Sequence, residues 1–232
     1  MDICGRIMVK IIVPLVGPTL EDALETLRIV NKLSTPGVTY LAEARLDMIS
    51  PPDIFALQNE AEVDLIATPR HNLQGGKYEG PQKDLKKLRE AAVKAGVAYI
   101  DCELLPEGFK SEKGNSKLIL SHHYAKGENP SLDDLRWKRD QAYDGGADIA
   151  KIIIYANKEE DNRKIMDLLK ETQRPLLALA MGPHGSDTRV VTVAPPYNSF
   201  GTFAPLKVKH ASADGQIPLD ELLKKQKNRG II

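Results

Sequence analysis

Apolar residues along the chain gather into short runs of strand length, each followed by a stretch whose apolar positions recur at helical spacing. The strand-like runs are "RIMVKIIVPLV" (6–16), "TYLAEARLDMI" (39–49), "VDLIATPR" (63–70), "AYIDCEL" (98–104), "KLILSHHY" (117–124), "DIAKIIIYA" (148–156), "PLLALAMG" (175–182) and "FGTFAPL" (200–206). Helical patterns are predicted over 18–33, 51–60, 82–95, 131–144, 158–171 and 218–228, with a short helix near 187–194. Strands that alternate with helices build βαβ units around a parallel sheet. Eight units in 232 residues fit a single-domain α/β fold, a (β/α)8 barrel of near-minimal size. A doubly wound open sheet is the alternative, but no GxGxxG follows the first strand to favour it. The stretch "LPEGFKSEKGNS" (105–116) is rich in turn formers and too short for a full fourth helix, so that helix is expected to be short or missing.

One strand carries an anomaly. In "DIAKIIIYA", Lys151 shares a face with Ile149 and Ile153, while Ala150, Ile152 and Ile154 occupy the other. A run apolar on both faces belongs in a buried parallel sheet, and lysine seldom sits buried without a partner. Other strands show the same interruption. Glu43, Arg45 and Asp47 share a face, Arg70 ends the third run, Asp101 and Glu103 share a face of the fourth, and Ser121 and His123 share a face of the fifth. These polar residues fall toward the C-terminal ends of successive strands, the end that carries the active site in (β/α)8 enzymes. Any one of them read alone is as easily a rim residue at a frayed strand end.

Composition removes several function classes. Lys+Arg and Asp+Glu both number 32, so the net charge of zero gives no steering field toward nucleic acid or an acidic membrane. The lysine clusters "KDLKKLR" and "LLKKQKNRG" alternate with leucine and read as solvated helix faces. "IMVKIIVPLV" is too short to span a bilayer and contains Lys10. Cys4 and Cys102 are far apart, without a CxxC pair, which favours a reducing, cytoplasmic setting. His122 and His123 point to opposite faces of a strand and no HExxH accompanies them, so neither a metal nor a cofactor is expected. Nothing in the sequence fixes the oligomeric state; a homodimer is compatible with it.

The remaining chemistry is narrow. A desolvated lysine near other cations has a lowered pKa, leaving a free amine to attack a carbonyl. A histidine within reach shuttles protons, and arginines bind a carboxylate in a bidentate grip. Together they suit Schiff-base chemistry on an anionic carbonyl compound.

With these residues in place, the chain resembles the type I 3-dehydroquinase family over almost its full length. The resemblance rests on "EARLD" (Glu43, Arg45, Asp47), "RHNLQGG" (Arg70), "YIDCEL" (Asp101), "SHH" (His123), "DIAKI" (Lys151), "MGPHGSDTR" (Arg189) and "SADGQ" (Ser212, Gln216), in order along the chain. It implies dehydration of 3-dehydroquinate to 3-dehydroshikimate through an imine on Lys151. His123 is then the general acid and base, with Glu43 orienting its ring. It further implies Arg189 on the substrate carboxylate beside Gln216, and Arg45, Arg70 and Ser212, with Glu43, on the ring hydroxyls. The sequence departs from the family pattern at Gln74, where many members have glutamate, and at Tyr124-Ala125, where many have Asp-Phe. Another Schiff-base barrel, an aldolase or transaldolase, is the nearest rival, and a barrel that only binds a ligand is the more distant one. The segment "KVKHASADGQIP" (207–218) has no apolar periodicity to tie it down, so it is expected to be mobile over an empty site.

Overall fold

A computed structural model describes residues 8–104 and 113–232. The chain runs β1 (Val9–Leu15), α1 (Leu20–Asn31), β2 (Val38–Arg45), α2 (Ile54–Glu60), β3 (Asp64–Thr68), α3 (Gln82–Ala95), β4 (Tyr99–Glu103) and β5 (Lys117–His123). It continues with α4 (Leu132–Asp144), β6 (Ile149–Tyr155), α5 (Asp161–Glu171), β7 (Leu176–Met181), α6 (Ser186–Val191), β8 (Thr202–Phe203) and α7 (Leu219–Asn228). All ladders are parallel and neighbours follow chain order, from β7 back to β1 and on to β8. The seam between β7 and β8 is closed by the Phe200 N–H, which donates to the Leu176 carbonyl at 2.8 Å. The fold is a (β/α)8 barrel, as the alternation predicts.

Local chemistry explains the element ends. Thr19 and Asp22 form a capping box at the start of α1, and Ser131 and Asp134 form another at α4. Each hydroxyl accepts from the N3 amide while the aspartate takes the cap's own N–H, and such a cap is worth about 1 kcal/mol. In α1, Ala23, Leu24, Leu27 and Val30 make the buried stripe. β8 is shorter than the predicted run: after Ala204 N–H donates to Ile12 O, Pro205 has no N–H to extend the ladder. The helix expected near 187–194 lies at Ser186–Val191, preceded by a 3-10 turn at Pro183–Gly185. The expectation of a short or missing helix between β4 and β5 falls mostly on residues 105–112, which lie outside the described residues.

Alternation divides the strand residues between two layers. Ala150, Ile152 and Ile154 pack outward against α4 and α5. Ile12, Leu41, Ile66, Ile119, Ile149, Ile153 and Leu177 fill the barrel interior. Lys151 points to this same interior, 5 % exposed, one residue pair above Ile149. No helix among the described residues is long and apolar enough to cross a membrane.

Candidate active site

At the C-terminal ends of the strands the interior opens into a cavity of about 440 Å³. All eight candidate residues line it: Glu43, Arg45, Arg70, His123, Lys151, Arg189, Ser212 and Gln216. They come from β2, the turn after β3, β5, β6, α6 and the segment before α7. Only closure of the barrel could gather them.

Lys151 has a partner. Its Nζ donates to Asp101 Oδ2 at 2.7 Å, stands 3.8 Å from Glu43 Oε1 and lies 4.7 Å from the centre of the Phe203 ring. The sequence suggests an amine set among cations; the structure instead places it between two carboxylates, which offset the burial of an ammonium. Asp101 is the hub of the site; the sequence marks it as an inward polar residue and part of the resemblance but gives it no role. Its Oδ1 accepts from Arg70 Nη2 at 2.7 Å and from Ser121 Oγ at 2.6 Å, and that same hydroxyl accepts from Arg70 Nη1. Burial pushes the Asp101 carboxyl up, but Arg70, Lys151 and two side-chain hydrogen bonds outweigh it and hold it well below the usual carboxylate range. A signal did exist in the sequence, since a buried lysine needs a counter-charge and Asp101 is one of few acids on an interior face.

His123 lies on β5, next to β6, with Ser121 paired to Lys151 and His123 to Ile153. His123 is half-buried, and its Nδ1 has no hydrogen-bond partner among the described residues. Desolvation, followed by the charges of Arg70 and Lys151, pushes its pKa well below 6.5, against a smaller pull from Asp101. The ring is therefore neutral near pH 7 and ready to accept a proton. The orienting bond expected from Glu43 is not formed. Glu43 Oε1 instead accepts from Thr68 Oγ1 at 3.0 Å. Gln74 approaches His123, and it does so through the backbone: its Oε1 accepts the His123 N–H at 3.2 Å. His122 points outward and packs edge-on against Tyr124, as strand alternation requires.

Arginines define the rest of the cavity. Arg45 is gripped by Asp47 in two parallel hydrogen bonds of 2.9 and 2.7 Å, and its Nη1 donates to Ser212 O at 3.1 Å. Arg70 is paired with Asp101. Arg189 differs. It is 2 % exposed, donates only to the Asp214 carbonyl at 3.2 Å, leaves Nε unsatisfied and has no carboxylate partner among the described residues. Desolvation pulls its pKa down to about 10 against a smaller upward pull from the Asp214 charge, so at neutral pH it remains a buried cation without a direct carboxylate partner among the described residues. Ser212 and Gln216 bond to each other: Gln216 Oε1 accepts the Ser212 N–H at 2.9 Å and its Nε2 donates to Ser212 Oγ at 3.2 Å.

Outside the candidates, two further carboxylates fix the turn that carries Arg70 and Gln74. Glu103, paired with Arg89 at 2.9 Å, accepts the His71 N–H at 2.8 Å, and Asp47 accepts the Lys77 N–H at 2.9 Å. Tyr155, Met181, Leu179 and Phe203 supply apolar wall. Among the described residues no group of three or more His, Cys, Asp or Glu is placed to hold a metal ion.

Fold and site together define a (β/α)8-barrel enzyme with its cavity at the C-terminal face of the strands. A family model described as type I 3-dehydroquinase matches residues 11–231. A 3-dehydroquinate dehydratase of Desulfotalea psychrophila is 32% identical over 225 residues, covering 92% of this chain and 95% of that protein. One from Methanosarcina acetivorans is 31% identical, covering 90% and 91%. The crystal structure of 3-dehydroquinate dehydratase from Geobacillus kaustophilus superposes with a TM-score of 0.82 at 26% identity, covering 95% of this chain and 90% of that one. The chain belongs to the type I 3-dehydroquinase family, and it is an enzyme of the hydro-lyase class.

Proposed function

We propose that this protein dehydrates 3-dehydroquinate to 3-dehydroshikimate through a Schiff base on Lys151, the step that serves the shikimate pathway toward aromatic amino acids. The observation that carries the reading is the convergence of Lys151, a neutral His123 and the unpaired Arg189 on one cavity. A carbonyl compound with a carboxylate satisfies all three, and an uncharged substrate would leave Arg189 buried without an anion.

The positions of these residues support the following steps. Lys151 gives up a proton and attacks the C3 carbonyl; loss of water from the adduct leaves a protonated imine. Asp101 is too weak a base to take that proton, being held well below the carboxylate range, which leaves the neutral His123 as acceptor; its imidazolium then protonates the adduct's hydroxyl as that group departs as water, and the ring is neutral again. The imine cation then draws electrons from C2. His123 removes the C2 proton, giving an enamine, and its imidazolium returns a proton to the C1 hydroxyl as that group leaves as water. Hydrolysis of the imine releases product and restores the amine. Asp101 keeps its negative charge throughout and stabilises the iminium it faces. Glu43, beside Lys151, is suited to a ring hydroxyl and to the lysine's protons rather than to the histidine. Arg189 takes the substrate carboxylate with Gln216 and Ser212 close by. Arg45 and Arg70 retain donors for hydroxyls after their protein partners are satisfied.

Borohydride reduction in the presence of 3-dehydroquinate tests the reading. Trapping converts the imine to a stable amine, so intact-mass and peptide analysis should show one ligand adduct on Lys151 together with loss of activity. Protein that stays active and unmodified under those conditions contradicts the mechanism.

A further inference from the structure

The segment over the cavity, residues 211–217, lacks an apolar stripe, yet it is tied to the barrel by polar contacts. Arg45 Nη1 reaches Ser212 O at 3.1 Å and Arg189 Nη2 reaches Asp214 O at 3.2 Å. The Gly182 N–H reaches the same Asp214 carbonyl at 3.4 Å. The shortest tie is a side-chain pair: Tyr155 OH donates to Asp214 Oδ2 at 2.7 Å. Hydrogen bonds thus link the segment to the barrel where apolar periodicity does not.

The backbone beneath the segment is shaped to receive it. A Cβ on Gly215 would stand 2.4 Å from Gly182 O, and one on Gly182 would stand 2.7 Å from the Tyr155 ring. Both glycines have positive φ, +73° and +80°, so two bare backbones meet where any side chain would hold them apart. Tyr155 fills the space beside that contact, with Lys126 Nζ 5.6 Å from its ring centre. It ends the interior-facing row of β6 (Ile149, Lys151, Ile153, Tyr155) and so connects the strand that carries the lysine to the segment that covers it.

Among these ties, only Tyr155 uses its side chain to recognise a side chain of the segment; Arg45, Arg189 and Gly182 all meet backbone carbonyls. We propose that Tyr155 is a positioning residue for this site: its hydroxyl, through Asp214, docks residues 211–217 over the cavity before substrate arrives and so presets the Arg189 cradle. Closure is then prepaid in the folded protein rather than drawn from binding energy, which lowers the concentration of substrate needed. What the cradle binds rests on the dehydratase reading; the docking itself does not.

Amide exchange in the free protein tests the docking without any substrate. Losing one hydrogen bond to a charged acceptor should speed exchange across 211–217 by about tenfold in Tyr155→Phe, which keeps the ring. Asp214→Ala, at a surface position, should act equally, and the double variant should exchange no faster than either single one. Asp214→Asn keeps an acceptor for the tyrosine and should recover most of the protection, a rescue that a merely structural role would not give. In turnover of 3-dehydroquinate, Tyr155→Phe should raise KM several-fold with a smaller change in kcat. Wild-type exchange rates in Tyr155→Phe, or additive effects in the double variant, would overturn the proposal. If the wild-type protein does not dehydrate 3-dehydroquinate, the proposed reaction fails while the exchange rates still decide the docking.

Discussion

Two layers of the barrel interior, one residue pair apart along the same strands, obey opposite rules. The lower layer holds Ile12, Leu41, Ile66, Ile119, Ile149 and Leu177, a dry hydrocarbon plug that leaves no polar atom to satisfy. The upper layer holds Glu43, Asp101, Ser121 and Lys151, with Arg70 reaching in, all as buried as the isoleucines but linked by hydrogen bonds and ion pairs. On β6 the change takes one step, from Ile149 at 2 % exposure to Lys151 at 5 %. Burial therefore does not separate core from site in this molecule. The lower layer gains free energy from leaving water, whereas the upper layer roughly balances desolvation against pairing and holds charge in fixed positions for chemistry. Substitutions in the two layers should therefore fail in different ways.

The largest effect belongs to Lys151. Lys151→Met should abolish turnover and the borohydride adduct, yet cost at most about 2 kcal/mol of stability, because Asp101 keeps Arg70 and Ser121 as partners. Denaturant unfolding beside a turnover assay checks both halves. A variant that fails to fold would show that the upper layer carries stability as the lower one does. Next comes His123→Ala, expected to lower kcat by ~10²–10⁴-fold while still forming some imine. His122→Ala should be far milder, since that ring packs on Tyr124 outside the barrel; equal damage from both would contradict the strand register. Ile149→Ala is the converse case. It should cost about 2–5 kcal/mol of stability through lost burial and a cavity, with kcat of the folded protein little changed.

The same contrast explains what the sequence could disclose. Period-two alternation decides which face a residue occupies, so the inward aim of Lys151, His123 and Ser121 and the outward aim of His122 were readable from the strands alone. Alternation does not say which inward residues meet across the barrel. Lys151 and Asp101 come from β6 and β4, with β5 between them, and strand tilt sets which layers align. Glu43 was assigned to His123 by resemblance, but the structure gives it to Thr68 and Lys151. The ties of segment 211–217 were hidden for another reason: a loop held by carbonyls and one tyrosine carries no hydrophobic signature. Gly182 and Gly215 were its only trace, visible as glycines but not as a matched pair.

Acid should separate the layers more gently, because of the two only the upper one carries titratable groups. The pKa of His123 lies well below 6.5 and that of His122 is pushed down to about 4, both chiefly by desolvation, while that of His210 is lowered more modestly. Below about pH 6.5 the unfolded chain binds protons at these rings that the folded chain does not, so stability should fall as pH falls from about 6.5 toward the folded values. Asp101 has the depressed carboxylate pattern: its contribution is present above about pH 3.8 and is lost as pH drops further. Denaturation midpoints measured from pH 8 to 4 should therefore decline first through the histidines. In His123→Gln the decline between pH 6.5 and 5 should be shallower. An unchanged slope would mean that the ring is not as desolvated as its position implies.

The smallest expected effect concerns Gln74, which touches His123 without touching its ring. Its Oε1 accepts the backbone N–H at 3.2 Å, and the Nδ1 of the same histidine has no partner among the described residues. Gln74→Glu keeps an acceptor of the same shape and adds a negative charge beside a ring that is now surrounded by the cations of Arg70 and Lys151. A nearby opposite charge raises the pKa of a histidine. A higher pKa means less neutral imidazole at acid pH, so the acid limb of kcat/KM should move to higher pH, with activity near pH 9 little altered. Stability should respond in the same sense: a ring that protonates more readily in the folded state removes part of the acid penalty, and the decline below pH 6.5 should flatten. The two readouts together locate the charge. If both move, residue 74 communicates with the imidazole. If the acid limb stays fixed, the side chain at 74 serves the His123 backbone alone, and the pKa of the ring is set wholly within the upper layer of the barrel.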